Sequence, residues 1–340
     1  MSHLLAVNSF DKRPPAKYNA AVIYLVTGCA GFIGFHVAKR LLSQGNTVVG
    51  IDNLNRYYSV RLKKDRLSLL LKEKNFKFWK LNIAHFKQLE KIFETTNIDV
   101  VCHLAAQAGV RHSLIDPFSY EQSNIKGFLN IIELSCRCNV KNFVYASSSS
   151  VYGGNEKIPF STDDAVDKPL SLYGATKRAD ELIAYVYHHL YHLNTTGLRF
   201  FTVYGPWGRP DMALFKFTKA IIEGKTIEVY NYGKMERDFT YIDDIVDGVI
   251  ASLNKPFEYE IFNLGRGKSI SLEYFISCIE KRLNKKAKKV YLPLQKGDVP
   301  KTYADIRKSE KMLGFHPKVS IEEGIERFVS WYMSYNNITL

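Results

Sequence analysis

Between residues 21 and 200 the chain alternates short apolar, β-branched runs with longer amphipathic stretches, and this rhythm restricts the possible folds more than any other feature. The short runs fall at 21–26, 47–52, 76–80, 100–104, 142–147 and 196–200, and helical patterns occupy 32–44, 59–72, 86–95, 118–137 and 172–191. Strands joined by helices of that length form βαβ crossovers, because a parallel neighbour is reached only by a connection long enough to recross the sheet. The expected fold is therefore α/β, a doubly wound parallel sheet covered by helices on both faces. Gly45-Asn46 offers a left-handed stop after the first helix. Beyond residue 200 the rhythm breaks into turns (Tyr204-Gly205-Pro206, Gly208-Arg209-Pro210) and shorter elements, closing with an amphipathic helix near 321–335. The chain is thus divided into an aperiodic extension (1–20), a sheet domain (21–200, with a contribution from 238–266) and a smaller C-terminal lobe built from 201–237 and 267–340.

Composition excludes several classes. With 46% hydrophobic and 24% charged residues, the 340-residue chain can bury a core, which a disordered or fibrous chain cannot. No apolar run approaches the roughly 18–20 residues that span a bilayer. The patch Leu4-Leu5-Ala6-Val7 is too short for a signal peptide, and Asp11-Lys12-Arg13-Pro14-Pro15 follows it without a cleavage-like site. Cys29, Cys102, Cys136, Cys138 and Cys278 are few and odd in number; Cys136 and Cys138 do not face each other on a helix, and no second pair completes a zinc site. His188, His189 and His192 likewise lack a carboxylate or thiolate at ligand spacing, so no metal is expected. A reduced, cytoplasmic protein is the simplest expectation. The net charge of +13 arises from 47 Lys and Arg against 34 Asp and Glu. The basic residues concentrate at 61–80 and 281–289, interleaved with Leu at helical spacing, and so read as solvated helix faces rather than a nucleic-acid stripe. An anionic small substrate also suits a basic protein.

The first strand runs into Thr27-Gly28-Cys29-Ala30-Gly31-Phe32-Ile33-Gly34, a GxxGxxG turn that opens a helix. Gly28, Gly31 and Gly34 let backbone approach a pyrophosphate, while the helix N-terminus offers unpaired N–H groups. Asp52 ends the second strand, where an acid accepts hydrogen bonds from the adenosine ribose and repels a 2′-phosphate. NAD is expected over NADP, with Arg56 the one nearby residue that favours the alternative. Tyr173 and Lys177 are four residues apart at the start of a helix and project from one face. Tyrosine has a reference pKa of about 10, so a tyrosine base needs help near neutral pH, and an adjacent ammonium favours the phenolate. Ser147-Ser148-Ser149-Ser150-Val151-Tyr152-Gly153 follows a buried strand, at the strand end where parallel sheets bind ligands.

Together with His103-Leu104-Ala105-Ala106, these motifs resemble the extended short-chain dehydrogenase/reductase superfamily over about residues 21–335, which implies a Rossmann fold. The resemblance assigns Ser148 to orienting the reacting hydroxyl, beside the Tyr173 base and Lys177, which also touch the cofactor. It implies further cofactor contacts from Phe32, Ile33 and Asn53, from Asn82 and Ile83 along the adenine, and from Leu104, Ala105, Ala106 and Gln107 about the pyrophosphate. Asn124 helps fix the site geometry. The family usually has Asp where Asn82 stands, and an amide can still contact the adenine amino group.

The run from Leu198 to Met212, with Arg237-Asp238-Phe239-Thr240-Tyr241-Ile242-Asp243-Asp244 and Gln295-Lys296-Gly297-Asp298-Val299, is similar to the nucleotide-sugar branch, above all to UDP-glucuronate 4-epimerases. The resemblance makes the C-terminal lobe the UDP-sugar site: Arg237 on the phosphates, Gln295 and Asp298 on phosphate and ribose, Tyr230 on the uracil. Ser149, Ser150 and Thr202 can hydrogen-bond a sugar carboxylate, where decarboxylating relatives place a repelling Glu before VYG, and Arg209 is a second anchor. The implied reaction is 4-epimerisation of UDP-glucuronate to UDP-galacturonate through a 4-keto sugar, with NAD recycled in place. The rivals are a UDP-glucose or UDP-GlcNAc 4-epimerase, a UDP-glucuronate decarboxylase and, from another class, a catalytically silent RNA-binding protein. A homodimer through 118–137 and 172–191 is expected from the family's habit and from Tyr185, Tyr187 and Tyr191 on the second of these helices.

Overall fold

A computed structural model describes residues 22–339; the N-terminal extension lies outside them. Six strands and six helices alternate first: β1 (Ile23–Thr27), α1 (Phe32–Ser43), β2 (Thr47–Asp52), α2 (Val60–Leu70), β3 (Phe76–Lys80), α3 (Phe86–Thr95), β4 (Val100–His103), α4 (Pro117–Tyr120), α5 (Gly127–Arg137), β5 (Asn142–Ser148), α6 (Leu172–Tyr191) and β6 (Thr195–Phe200). With the later strand Tyr259–Leu264 at one edge they form a seven-stranded sheet, in the order 259–264, β6, β5, β4, β1, β2, β3. Every pairing in it is parallel, with Leu25 of β1 in register with Val49 of β2 and Val101 of β4. The order reverses between β1 and β4, and at such a switch point the crossovers leave to opposite faces and open a crevice at the strands' C-terminal ends.

The sheet is buried on both sides, as its near-continuous apolar strands require. On one face Phe35, Val37 and Leu41 of α1 pack with Ile245 and Val249 of the helix Ile242–Asn254; on the other Leu89 of α3, Phe128 and Ile131 of α5 and Ala184 of α6 close the core. The expected single helix 118–137 is interrupted: α4 and α5 are joined by a π-helical turn, Glu121–Lys126. The cause is Asn124, whose buried side chain is drawn inward to bond the Gln107 backbone in both directions (2.8 and 3.0 Å) and Thr176 Oγ1 (3.0 Å). One extra residue in the turn lets the amide reach these partners, as single-turn π-bulges at functional sites do.

The C-terminal lobe and the adjoining stretch 238–266 hold three two-stranded sheets: Thr202–Tyr204 with Phe239–Tyr241, Thr226–Tyr230 with Lys288–Leu292, and Glu236–Arg237 with Ile270–Ser271. The fully buried Arg66 of α2 ties this lobe to the sheet domain. It donates to the carbonyls of Ala30, Trp207 and Gly208 and to the Tyr58 hydroxyl.

Candidate active site

The switch-point crevice opens into a cleft of about 970 Å³ that runs from the β1–α1 turn across the end of β5 into the C-terminal lobe. Gly28 has φ +71°, and a Cβ there would lie 2.9 Å from Ala105 N; a Cβ on Gly34 would lie 2.1 Å from Gly28 O. The turn therefore accepts only glycine at both places, and its own amides are taken up by the Ile51 and Gly28 carbonyls and the Asp52 carboxylate. Helix α1 begins at Gly31 without a side-chain cap, so its positive end is left for an anion. Asp52 is oriented by the amides of Leu54 (2.8 Å) and Ala30 (3.1 Å). Burial raises its carboxyl above the usual range, opposed by those amides and by the Lys63 ammonium. This cradle with an acid at the ribose position fits NAD. Phe32, Ile33, Asn53, Asn82, Ile83, Leu104, Ala105, Ala106 and Gln107 line the same end. Asn82 Oδ1 accepts from Ala84 N (3.0 Å), so part of the amide's capacity closes its own turn.

Thr27 Oγ1 accepts from the amides of Leu104 and Ala105 (3.2 and 3.1 Å) and lies 2.8 Å from His103 Nδ1. With both lone pairs engaged, the hydroxyl proton points at Nδ1, which requires a neutral imidazole. Burial, reinforced by the Lys177 ammonium, pushes His103 down to about 3 and keeps it neutral. This clasp joins the ends of β1 and β4 behind the cleft.

At the end of β5, Ser148 accepts from Ser150 N (3.1 Å) and starts a 3₁₀ turn, Ser149–Tyr152. Ser147 points the other way and donates to Glu181 (2.6 Å), which Arg199 holds through Nε and Nη2 (2.8 and 2.9 Å). Arg199 also bonds the Tyr152 hydroxyl (3.0 Å), so the serine turn is pinned from beneath by a buried polar chain. Helix α6 is capped by Ser171, whose Oγ accepts from Gly174 N (3.0 Å), and presents Tyr173 and Lys177 to the cleft from its first turns. Lys177 is only 2% exposed, and its Nζ donates to Asp180 Oδ2 at 2.7 Å. Tyr120 packs edge-on against Tyr173 with ring centroids 6.1 Å apart.

Ser149, Ser150 and Thr202 line the cleft with Arg209, Tyr230, Arg237 and Asp298; Gln295 is absent from its lining. Two expected substrate groups are already engaged within the protein. Arg209 makes a two-pronged contact with Asp211 (Nε 3.1 Å, Nη2 2.5 Å), and Asp298 accepts from Arg111 (3.0 Å). The Arg111 guanidinium also lies 4.6 Å over the Tyr230 ring, covering one of its faces. Arg237 bonds the carbonyls of Glu236 and Pro300, and burial lowers its pKa. Arg111 and Tyr57 escaped the sequence reading although both line the cleft. Tyr57 donates to Asp211 (3.2 Å) and is pushed up to about 12, chiefly by burial.

The sequence profile of the NAD dependent epimerase/dehydratase family matches residues 24–265. The chain is 53% identical to the UDP-glucuronate 4-epimerase of Thermodesulfobacterium geofontis over 318 residues, covering 93% of this chain and 97% of that protein. Among solved structures it is similar to the UDP-glucuronic acid 4-epimerase of Bacillus cereus in complex with UDP-glucuronic acid and NAD (TM-score 0.87, 36% identity, 92% of this chain and 100% of that one). The UDP-glucose 4-epimerase of Thermotoga maritima, solved with UDP-glucose, matches with TM-score 0.85 and 31% identity over 93% of this chain and 100% of that one. With the family profile over most of the chain and relatives matched along nine-tenths of it, the chain belongs to the NAD dependent epimerase/dehydratase family, in its extended short-chain dehydrogenase/reductase branch of nucleotide-sugar epimerases.

Proposed function

We propose that this protein epimerises UDP-glucuronate to UDP-galacturonate at C4, with Tyr173 as base, Lys177 as its electrostatic partner and Ser148 orienting the reacting hydroxyl. The observation that carries the choice of sugar is the set of three hydroxyls, Ser149, Ser150 and Thr202, lining the cleft that Tyr173 enters, with no carboxylate in the set. The named relatives at 53% and 36% identity support it. When bound, NAD supplies the hydride acceptor and donor for C4. Tyr173 takes the C4 hydroxyl proton and returns it after the 4-keto sugar has turned its other face. That ketone is a β-keto acid and loses carbon dioxide when its carboxylate stands out of the ketone plane. Hydroxyls that hold the carboxylate disfavour that geometry, each such bond being worth roughly 1.5–3 kcal/mol. Arg209 adds positive charge there, moderated by Asp211. At the far end Arg237, Tyr230 and Asp298 receive the UDP, with Gln295 outside the lining and beside Tyr230.

The active unit in this reading is a homodimer through α5 and α6. No helix among the described residues is long and apolar enough to cross a membrane. The five cysteines form no disulfide, which suits the reducing cytoplasm in which we place the enzyme.

The test is incubation of the purified protein with UDP-glucuronate without added cofactor, followed by NMR of the sugar and capture of carbon dioxide. UDP-galacturonate should form with carbon dioxide a minor product. Stoichiometric carbon dioxide would make it a decarboxylase. Turnover of UDP-glucose or UDP-GlcNAc alone would make it a neutral-sugar epimerase. Salt-dependent RNA binding without turnover would mark a silent binder.

A further inference from the structure

Lys177 is one turn along α6 from Tyr173, and its ammonium is held from behind. Asp180, one further turn on, is fully buried, and its Oδ2 accepts from Lys177 Nζ at 2.7 Å. The other carboxylate oxygen, Oδ1, is buried without a hydrogen-bond partner. A carboxylate with one oxygen unpaired in the interior is costly and calls for a reason to be kept. Four groups face the pair. Glu181 lies on the same helix, but its charge is taken up by Arg199, Arg178 and Ser147. Tyr145 of β5 is fully buried, with its hydroxyl unpartnered, and feels the Asp180 charge. His103 of β4 is neutral and feels Lys177. The fourth is Tyr173 itself. Asp180 is thus the one carboxylate of this group not spent on another partner.

We propose that Asp180 is a positioning residue for the Tyr173–Lys177 pair: it seats the ammonium against the wall of the cleft and sets how much positive charge the Tyr173 phenol experiences. The proposal rests on the reading of Tyr173 as the base. An ionised Asp180 leaves Lys177 half of a neutral pair, whose field falls off quickly; a protonated Asp180 leaves the ammonium unopposed. Burial pushes the Asp180 carboxyl above the usual carboxylate range, and the Lys177 ammonium pulls it back toward the ionised form. In the ionised pair the carboxylate offsets part of the ammonium's pull on the Tyr173 phenol.

Asp180→Asn keeps an oxygen that accepts from Lys177 and removes only the charge. Its acid limb in the kcat–pH profile of UDP-glucuronate epimerisation should move down by about one pH unit, and KM should change less than about twofold. Asp180→Glu, which keeps the charge, should keep the wild-type limb. If the Asn variant does not fold, Asp180→Ser carries the same expectation. Tyrosinate absorbance of the NAD-loaded protein, with Tyr173→Phe as the blank, reads the same shift without turnover. An unmoved limb and an unmoved tyrosinate signal in an epimerising enzyme would overturn the proposal, as would a shift to higher pH. A shifted tyrosinate signal in a protein that does not act on UDP-glucuronate supports the proposal and overturns the assigned reaction instead.

Discussion

Tyr173 enters the cleft from the first turn of α6, its hydroxyl the group assigned to proton removal, and deleting that hydroxyl should separate chemistry from binding. Tyr173→Phe keeps the ring that Tyr120 packs against, so NAD content and UDP-sugar affinity by calorimetry should stay within about twofold while kcat falls at least about a hundredfold. A variant that keeps a large share of its turnover would assign the proton to another group. The carboxylate contacts act differently. Ser150→Glu brings like charge against the sugar carboxylate and should raise the ratio of carbon dioxide to epimer in the captured products; an unchanged ratio would detach Ser150 from carboxylate control. Residues of this kind were legible in the sequence because their signal is local: Tyr173 and Lys177 share a helical turn, and the serines share a strand end. Asp180 was just as near in sequence and went unread, since only burial reveals that its partner is Lys177 and not solvent. Arg111 shows the other limit. Its contacts, Asp298 and the Tyr230 ring, are more than a hundred residues away, and no spacing rule reaches them.

At the scale of elements, hydrophobic period located the six strands and most helices to within a residue or two, because each is buried on the face its pattern predicts. The π-turn was missed for a physical reason: Glu121–Lys126 has the composition of an ordinary helix, and its extra residue is imposed from outside by what Asn124 must reach. The β1–α1 turn was legible because it is crowded in a way that only glycine satisfies. Gly34 of α1 sits against Gly28 O so closely that an added Cβ would lie 2.1 Å from that oxygen. Gly34→Ala must therefore push the helix away from the turn, displacing the uncapped N-terminus of α1 that we propose receives the pyrophosphate. We expect the purified variant to lose most of the nucleotide extracted by acid and measured by chromatography. Its thermal midpoint should fall by several degrees, in line with an overpacking cost of about 1–3 kcal/mol. Full nucleotide content would mean that the turn does not set the cofactor's approach.

At the scale of the whole molecule, α6 carries an apolar surface that the monomer leaves uncovered. Its first turns direct Tyr173 and Lys177 into the cleft, while Leu182, Val186 and Leu190, spaced four apart, form an apolar stripe along its outer face, each about half exposed. Leu129 of α5 and Phe118 of α4 extend the patch, Phe118 being 78% exposed. Tyr187, expected at the interface, is instead turned inward and donates to Glu133 of α5 (2.7 Å), locking the two helices into one rigid pair. Two such pairs meeting about a two-fold axis make a four-helix contact in which each stripe covers its copy, the self-complementary arrangement of a symmetric dimer. The catalytic helix would then be braced by the partner along the face opposite its chemistry. A double substitution, Val186→Glu with Leu190→Glu, sets charges from both subunits against each other at the centre of that contact, where a buried unpaired carboxylate is costly. Sedimentation velocity at micromolar concentration should show the wild type as a dimer and this variant as a monomer. The cleft-facing residues are untouched, so bound nucleotide should be retained. Turnover should fall severalfold and the thermal midpoint should drop, because α6 loses the support that fixes Tyr173. A variant that sediments as the wild type does would place the subunit contact elsewhere, and a wild type that is itself monomeric would leave the stripe as plain surface.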